Sequence, residues 1–340
     1  MSQLTDMIIN NALSILKDTD ISALHRKTVL ITGASGLIGV HLLACLRQAR
    51  NDILPQKVYA VVNREPLPYM RELLDYDEAQ ILRGDLTDTE FRDSLPAADC
   101  IIHAAGYGQP IRFMENPLTT LKINTAATFS LLEKLKPGGK FLFVSTSEVY
   151  TGLYEPPFSE SQIGTTSPEH PRACYIEAKR CGEAIVNIHR LQGADAKSAR
   201  LALAYGPGTR LGDRRVINEF IQRGFDKEIL LRDHGSARRA YCYVTDAVEL
   251  LWKILLSGSK AVYNVGGVTD RSIAQLAQAV GELMHANVAF PEVQQEVKGG
   301  PANAWLDMTR ANTEFHKKEY VPLEEGLAQT IKWYTILRTL

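Results

Sequence analysis

The stretch Thr28-Val29-Leu30-Ile31-Thr32-Gly33-Ala34-Ser35-Gly36-Leu37-Ile38-Gly39 joins a short apolar run to three regularly spaced glycines. The run predicts a buried strand, and the apolar spacing after Gly36 predicts a helix. Glycines allow a tight turn and a close backbone approach, while a helix N-terminus offers free N–H groups to an anion. The stretch therefore predicts a strand, turn and helix that bind a dinucleotide, through contacts with Gly33, Ser35, Gly36, Leu37, Ile38 and Gly39.

Strands and helices continue to alternate after this unit. After the first strand, Thr28 to Thr32, further strands are predicted at Val58 to Val62, Lys140 to Val144 and Ser198 to Leu203, with a long helix at Leu118 to Leu135 and a shorter one at Ile273 to Met284. Alternation of this kind is typical of an α/β fold, here a Rossmann-like doubly wound parallel sheet with a smaller mixed C-terminal substrate-binding lobe. We divide the chain into a helical extension (1–26), a Rossmann domain carrying the catalytic residues (27–204) and mainly the substrate lobe (205–340), from which segments can return to the Rossmann domain.

Residues at the ends of the predicted strands are the next candidates for cofactor contacts, because ligands bind at the carboxyl ends of such strands. Asn63 and Arg64 follow the second strand, where an NAD enzyme commonly has a carboxylate, so NADP remains open beside NAD. Asp85 and Leu86 follow the third strand, and Asp85 would either bind the adenine amine or cap a helix. No metal site is predicted.

Small residues close the fourth strand and would let a flat cofactor lie against the backbone. These residues are Ala104, Ala105 and Gly106, and the preceding His103 is interpreted as structural rather than as a ligand. Two further polar residues are predicted cofactor contacts, namely Asn124 in the long helix and Ser145 at the end of the next strand, and the set is completed by Tyr175 and Lys179.

Tyr175 and Lys179 stand four residues apart in an amphipathic run. On a helix they share one face, so the ammonium of Lys179 can favour the phenolate of Tyr175. An exposed pair of this kind also arises by chance, but the glycine turn and the polar strand end Ser145-Thr146-Ser147-Glu148 favour a catalytic role. We expect the three stretches to converge on one site.

Composition limits the function classes. The net charge of -1 gives no basic surface for nucleic acid or an anionic membrane, and a small-molecule substrate is favoured. Five scattered cysteines without a C-x-x-C pair argue against disulfides and zinc, and indicate a reducing, cytoplasmic location. The N-terminal run has the pattern of an amphipathic helix from residue 4 to 16 rather than of a signal peptide or a membrane span.

These motifs together resemble the extended short-chain dehydrogenase/reductases that act on nucleotide sugars as epimerases, dehydratases and decarboxylases. The resemblance covers the chain from about Lys27 to Tyr334 and includes Tyr205-Gly206-Pro207, the run 235–246 and Tyr263-Asn264-Val265-Gly266. The runs 171–180 and 144–150 are most similar to those of UDP-glucuronate decarboxylases. The resemblance implies a Rossmann fold, NAD, a nucleotide-sugar substrate and a homodimer.

The resemblance also implies the catalytic residues: Thr146, Ser147, Glu148, Tyr175, Lys179 and Arg239. Tyr175 would take the proton of a sugar C4 hydroxyl, Thr146 would hydrogen-bond that hydroxyl, and Arg239 would bind a diphosphate or assist at a carboxylate. In a 4,6-dehydratase, Glu148 would take the C5 proton. Decarboxylation is the first expectation, with 4,6-dehydration or 4-epimerisation as alternatives and a non-catalytic dinucleotide sensor as another class.

Two positions depart from the family pattern. Leu203 stands where the family usually has an asparagine, and Lys298 lies near the place of a usual arginine. Both positions normally help to hold the nucleotide diphosphate, so the sequence predicts a remodelled substrate site.

Overall fold

The structure, a computed structural model, describes residues 2–53, 55–292 and 303–340. Its helices in these ranges are α1 (Gln3–Lys17), α2 (Leu37–Ile53), α3 (Pro68–Leu73), α4 (Thr89–Ser94), α5 (Pro110–Glu115), α6 (Pro117–Asn124), α7 (Ala126–Glu133), α8 (Ala173–Leu191), α9 (Val216–Phe225), α10 (Val244–Ser257), α11 (Ile273–Met284), α12 (Thr309–Phe315) and α13 (Leu323–Leu337). Short 3₁₀ turns occur at Ser22–Leu24 and Ser147–Tyr150.

The strands in the same ranges are β1 (Thr28–Thr32), β2 (Lys57–Val62), β3 (Ala79–Arg83), β4 (Ala98–His103), β5 (Leu135–Thr146), β6 (Asp195–Leu201), β7 (Ala204–Tyr205), β8 (Glu228–Leu230), β9 (Arg238–Ala240), β10 (Cys242–Tyr243), β11 (Val262–Val265), β12 (Asp270–Ser272), β13 (Asn287–Ala289) and β14 (Asn303–Ala304). Seven of them form a parallel sheet in the order β3-β2-β1-β4-β5-β6-β11. The order reverses between β1 and β4, which confirms the predicted doubly wound fold.

Apolar residues cover both faces of this sheet. Val29 and Ile31 of β1 pack into one core and Leu30 into the other, because successive side chains of a strand point to opposite faces. Helix α1 buries Leu4, Ile8 and Ala12 against the first of these cores, where it contacts α2 and α10. The N-terminal helix is thus part of the packed body.

The helix predicted from Leu118 to Leu135 is instead two helices, α6 and α7, with Thr125 between them. The Thr125 hydroxyl donates to the Leu121 carbonyl at 2.7 Å, and the Thr128 hydroxyl donates to the Asn124 carbonyl at 2.8 Å. Hydroxyl groups that bond back to carbonyls four residues earlier compete with the helix and bend it. Apolar periodicity alone does not predict this break in the helix.

The segment after β6 leaves the large sheet and then returns to it. The predicted strand Ser198 to Leu203 ends at Leu201, since Leu203 has φ +32° and cannot continue an extended strand. Residues 205–243 carry α9 and the short strands β7 to β10, after which α10 and β11 return and β11 pairs with β6. The large sheet therefore holds both ends of the 205–243 segment.

Candidate active site

The glycine turn lies where the sheet order reverses. Gly33 has φ +67°, and a Cβ built on it would lie 2.4 Å from the Ala104 carbonyl oxygen. A Cβ on Gly39 would lie 2.5 Å from the Gly33 carbonyl oxygen. Any side chain at either position would fill the space between β1, β4 and the start of α2. The backbone thus forms an open cradle at a helix N-terminus, which fits the pyrophosphate of a dinucleotide.

A cleft of about 1220 Å³ extends from this cradle along the carboxyl ends of the strands. It is lined by nearly all the residues that the sequence singled out: Gly33, Ser35, Gly36, Leu37, Ile38, Gly39, Asn63, Arg64, Asp85, Leu86, Ala104, Ala105, Gly106, Ser145, Thr146, Ser147, Glu148, Tyr175, Lys179 and Arg239. The structure therefore brings the glycine turn, the strand end and the Tyr-x-x-x-Lys motif to one cleft.

Asn124 is the predicted site residue that does not line the cleft. It is fully buried, and its amide nitrogen donates to the Thr120 carbonyl at 2.8 Å. Its Oδ1 has no hydrogen-bond partner among the described residues. A Cβ on Gly106 would lie 3.7 Å from that oxygen and 3.9 Å from Nζ of Lys179. Asn124 thus lies behind the cleft, near the lysine.

The Tyr175 ring lies flat on the Phe113 ring of α5, with ring centroids 4.4 Å apart and an angle of 4° between the planes. Burial raises the pKa of Tyr175 to about 12, hydrogen bonding with Thr146 lowers it, and the Glu148 carboxylate raises it. The lowered pKa expected from the sequence is therefore not a property of the protein groups alone. Additional positive charge is needed to make the phenolate common at neutral pH.

Lys179 is buried beneath this site. Its Nζ donates to the Val144 carbonyl at 2.7 Å and lies 5.9 Å from the centre of the Tyr175 ring. Burial lowers the pKa of Lys179 to about 7, although Glu183 opposes the shift. The lysine can consequently exchange a proton near neutral pH, and its position is fixed by the end of β5.

Glu148 follows β5 in the 3₁₀ turn Ser147–Tyr150. Its Oε1 accepts a hydrogen bond from Nη1 of Arg172 at 2.6 Å, and the two side chains form an ion pair. Arg239 on β9 is close enough for its pKa to respond to both groups: burial lowers that pKa, Glu148 raises it and Arg172 lowers it. A carboxylate and two guanidinium groups therefore gather beside Tyr175.

The cleft is more cationic than the whole chain. Eight arginines and Lys179 line it against five carboxylates, whereas the chain has a net charge of -1. Sequence reasoning predicted only Arg64 and Arg239 among these arginines and missed the other six, which are Arg112, Arg172, Arg210, Arg214, Arg215 and Arg232. Arg210 crosses to the glycine turn, where its Nη2 donates to the Ser35 carbonyl at 3.3 Å. Arginines clustered at 210–215, directly after a glycine-rich loop, are the pattern in the sequence that could have predicted cationic residues in the cleft. Such a cleft suits a ligand with several phosphates.

Several polar residues near the cleft have clear structural partners. His103 is buried between the Thr32 hydroxyl (2.7 Å) and the Ile123 carbonyl (3.0 Å), which fits the structural interpretation. The Ser145 hydroxyl donates to Glu183 at 2.6 Å. Asp85 accepts the Thr87 N–H, and the cap of α4 is Asp88, so the capping alternative for Asp85 is wrong.

Of the two departures from the family pattern, Leu203 lines the cleft with its side chain about one-third exposed, and Lys298 lies outside the described residues. Among the described residues no helix is long and apolar enough to cross a membrane, and no cluster of His, Cys, Asp and Glu side chains could hold a metal.

Residues 29–266 match the sequence pattern of the NAD dependent epimerase/dehydratase family. The chain belongs to this family. It is accordingly an enzyme of the NAD-dependent epimerase/dehydratase type, and the glycine cradle and the cleft described above fit NAD. Asn63 and Arg64 directly follow β2 and line the cleft.

Curated relatives in the family include UDP-glucuronic acid decarboxylase 6 of Arabidopsis thaliana, which is 30% identical over 88% of this chain and 86% of its own length. UDP-glucuronic acid decarboxylase 1 of Xenopus tropicalis is 29% identical over 92% of this chain and 73% of its own length. A solved structure of UDP-glucuronic acid 4-epimerase from Bacillus cereus, in complex with UDP-glucuronic acid and NAD, superposes with a TM-score of 0.77. It is 23% identical and covers 91% of this chain and 99% of its own, which shows the shared fold.

Proposed function

We propose that this enzyme decarboxylates a UDP-glucuronate-like nucleotide sugar through transient oxidation at C4. The observation that carries the proposal is that Glu148 is ion-paired with Arg172 and lies close enough to Arg239 and Tyr175 to raise the pKa of both. This cationic end of the cleft suits a sugar that carries a carboxylate at C6. The similarity to UDP-glucuronic acid decarboxylases over most of the chain supports the same assignment.

In the first step Tyr175 accepts the proton of the C4 hydroxyl. When bound, NAD supplies the hydride acceptor and a positive charge next to the phenol. Thr146 hydrogen-bonds Tyr175 and is placed to hold the same sugar hydroxyl. The Phe113 ring fixes the plane of the phenol, and Lys179 relays the proton from below with its pKa near 7.

In the second step the C5–C6 bond of the 4-keto uronate breaks and carbon dioxide leaves. The electron pair moves into C4–C5 and forms an enolate, whose oxygen is stabilised by the hydroxyl of the protonated Tyr175. Arg239 holds the carboxylate before it leaves, and Ser147 hydrogen-bonds the sugar. A proton from water at C5 would give a 4-keto pentose. Return to C4 of the hydride that it gave up in the first step, with a proton from the Tyr175 hydroxyl to the C4 oxygen, would close the cycle.

The cofactor contacts proposed for this cycle are those predicted from the sequence. The glycine turn binds the pyrophosphate, Asn63 and Arg64 the ribose, Asp85 and Leu86 the adenine, and Ala104, Ala105, Gly106 and Ser145 the nicotinamide half. Asn124 is the exception: it does not line the cleft, so we propose no direct cofactor contact for it, and it lies behind Gly106 near Lys179. The division into a Rossmann part (27–204) and a mainly substrate-binding part (205–340) follows from these roles.

We expect the enzyme to be a homodimer in the cytoplasm. Leu118, Phe129, Ile188 and Leu191 on α6, α7 and α8 expose large apolar side chains, which supports pairing through these helices. The five cysteines are free thiols, which supports a reducing compartment.

Two other reactions of the family are tested together with the first. The enzyme is incubated with NAD and UDP-glucuronate or UDP-glucose, and the products are followed by NMR. A UDP-pentose and carbon dioxide are expected from the uronate. A 4-keto-6-deoxy sugar from UDP-glucose alone would establish a dehydratase, and a C4 epimer without carbon dioxide an epimerase. Tyr175→Phe has to abolish turnover while NAD stays bound, and cofactor binding without turnover of any nucleotide sugar would instead indicate a dinucleotide sensor.

A further inference from the structure

Arg172 directly precedes α8, the helix that carries Tyr175 and Lys179. Its carbonyl accepts the N–H groups of Tyr175 and Ile176 at 3.0 and 3.1 Å, and its own N–H donates to Nδ1 of His170 at 3.1 Å. The backbone of Arg172 is thereby fixed to the first turn of the catalytic helix. Its guanidinium reaches from there to Oε1 of Glu148 at 2.6 Å.

This ion pair is not required to join α8 to the turn that holds Glu148. Arg180 already makes that connection, because its Nη2 donates to the Val149 carbonyl at 2.7 Å and to the Gly164 carbonyl at 2.8 Å. The Arg172–Glu148 pair instead lies in the cleft, with both residues among its lining. Its position points to the chemistry of the site rather than to the stability of the fold.

The second oxygen of Glu148 strengthens this interpretation. Oε2 is buried and has no hydrogen-bond partner among the described residues. A carboxylate with one ion-paired oxygen and one unsatisfied oxygen is held in a single orientation, and the guanidinium engages the lone pairs of the paired oxygen. Removing the guanidinium would let the Glu148 side chain reorient and would leave its Oε1 without the hydrogen bond from Arg172.

A 4-keto sugar in this cleft has two fates that differ in which bond to C5 breaks. In one, the C5–C6 bond breaks and carbon dioxide leaves from a uronate. In the other, a base takes the C5 proton, the C5–H electron pair forms the enolate, and the C6 oxygen then leaves as water. Glu148 is the carboxylate at hand for the second fate, since it lies next to Tyr175.

We propose that Arg172 is a positioning residue that selects between these fates, because its ion pair with Glu148 keeps that carboxylate from removing the C5 proton. The proposal rests on the proposed function, since it assumes that a 4-keto sugar forms in this cleft. It assigns to Arg172 the suppression of C5 proton removal. On a 4-keto hexose that removal begins dehydration, whereas on a 4-keto uronate the resulting enolate can only take a proton back at C5, so loss of carbon dioxide is the productive route for the uronate.

The test uses UDP-4-keto-glucose, which enters after the oxidation step, added to the NAD-loaded protein in D₂O. Incorporation of deuterium at C5 is followed by NMR and corrected for the rate without enzyme. We expect Arg172→Gln and Arg172→Met to exchange at least about a hundredfold faster than the wild type, the lower end of the range for a positioned general base. Arg172→Lys should exchange slowly, and Arg172→Gln combined with Glu148→Gln should return to the wild-type rate.

Arg190→Gln is the matched control, because Arg190 lies on α8, donates to the Ser259 carbonyl and is not among the described residues that line the cleft. It should leave the exchange rate unchanged. A rate for both Arg172 variants within twofold of the wild type would overturn the proposal, and so would a rise that persists without Glu148. Carbon dioxide release from UDP-glucuronate by the wild type is measured separately, so a failure of the proposed function is distinguished from a failure of this inference.

Discussion

Phe113 and Tyr175 lie face to face, with ring centroids 4.4 Å apart and planes within 4° of each other. Phe113 belongs to α5 and Tyr175 to α8, so the orientation of the phenol depends on a residue far away in the sequence. Stacked rings gain about 0.5–1.5 kcal/mol beyond their burial. This contact holds the reacting oxygen in place.

Replacing Phe113 with leucine should therefore lower kcat about tenfold, because a small misplacement of the phenol is costly in rate, while NAD affinity changes little. Steady-state kinetics with the nucleotide sugar and fluorescence titration with NAD measure the two effects. Phe129→Leu is the control, since Phe129 makes an edge contact with His189 away from the cleft. Equal kcat values for the two variants would contradict the role given to the stack.

Substituting Gly33 with alanine should abolish measurable NAD binding and destabilise the fold, since the new methyl group would lie 2.4 Å from the Ala104 carbonyl oxygen. Comparison with Gly138→Ala separates the steric clash at Gly33 from the backbone strain that both substitutions cause. Gly138 has a similar φ of +71° but open space around the position of a Cβ, so only the backbone strain of about 1–2 kcal/mol applies. Calorimetric titration with NAD and urea unfolding compare the variants, and retained binding in Gly33→Ala would refute the cradle.

Leu203→Asn should stabilise the protein by about 0.5–1 kcal/mol, because asparagine tolerates positive φ better than leucine does. It should also tighten the binding of UDP, since an amide would then face the cleft at a position where the family usually has asparagine. Urea unfolding and UDP titration test both effects. Leu211→Asn, at an exposed cleft residue without positive φ, should give neither gain.

The buried histidines His41 and His103 should make the fold sensitive to acid. Burial lowers the pKa of His41 to about 4 and that of His103 to about 3, against 6.5 for an ordinary histidine. Below pH 6.5 the unfolded chain therefore binds protons that the folded chain does not, and stability falls as the pH falls. Each residue should contribute a loss of about 2 kcal/mol between pH 7 and pH 5.

Urea unfolding at the two pH values measures this loss. His41→Gln should reduce the loss by the contribution of one histidine, whereas the exposed His234→Gln should leave it unchanged. A free energy of unfolding in the wild type that does not depend on pH in this window would contradict the prediction.

The elements predicted most accurately are those whose ends are set by nearby residues. The first strand, Thr28–Thr32, and the helix Ile273–Met284 have the predicted bounds. Ser272 caps the start of this helix: its hydroxyl accepts the Gln275 N–H, and the Gln275 side chain accepts the Ser272 N–H. Four consecutive residues therefore determine where the helix begins. Local signals of this kind can be found in a single sequence.

The elements and residues that were missed depend on contacts between distant parts of the chain. The break at Thr125 comes from hydroxyl bonds to carbonyl groups, and the end of β6 comes from the backbone of Leu203. Arg172 and Arg210 join the site through Glu148 and Ser35, which precede them by many residues. Apolar periodicity contains no information about such contacts. The short motifs around Gly33 and Tyr175 could be recognised because their residues lie close together in the sequence.

The position of β11 at the edge of the sheet has a consequence for synthesis of the protein. Its partner β6 ends at Leu201, and β11 begins only at Val262. A nascent chain therefore exposes the open edge of β6 until residue 265 has left the ribosome, and an open strand edge is a template for pairing with other chains. Translation that stops within residues 202–261 should accordingly yield an aggregating fragment rather than a stable dinucleotide-binding half.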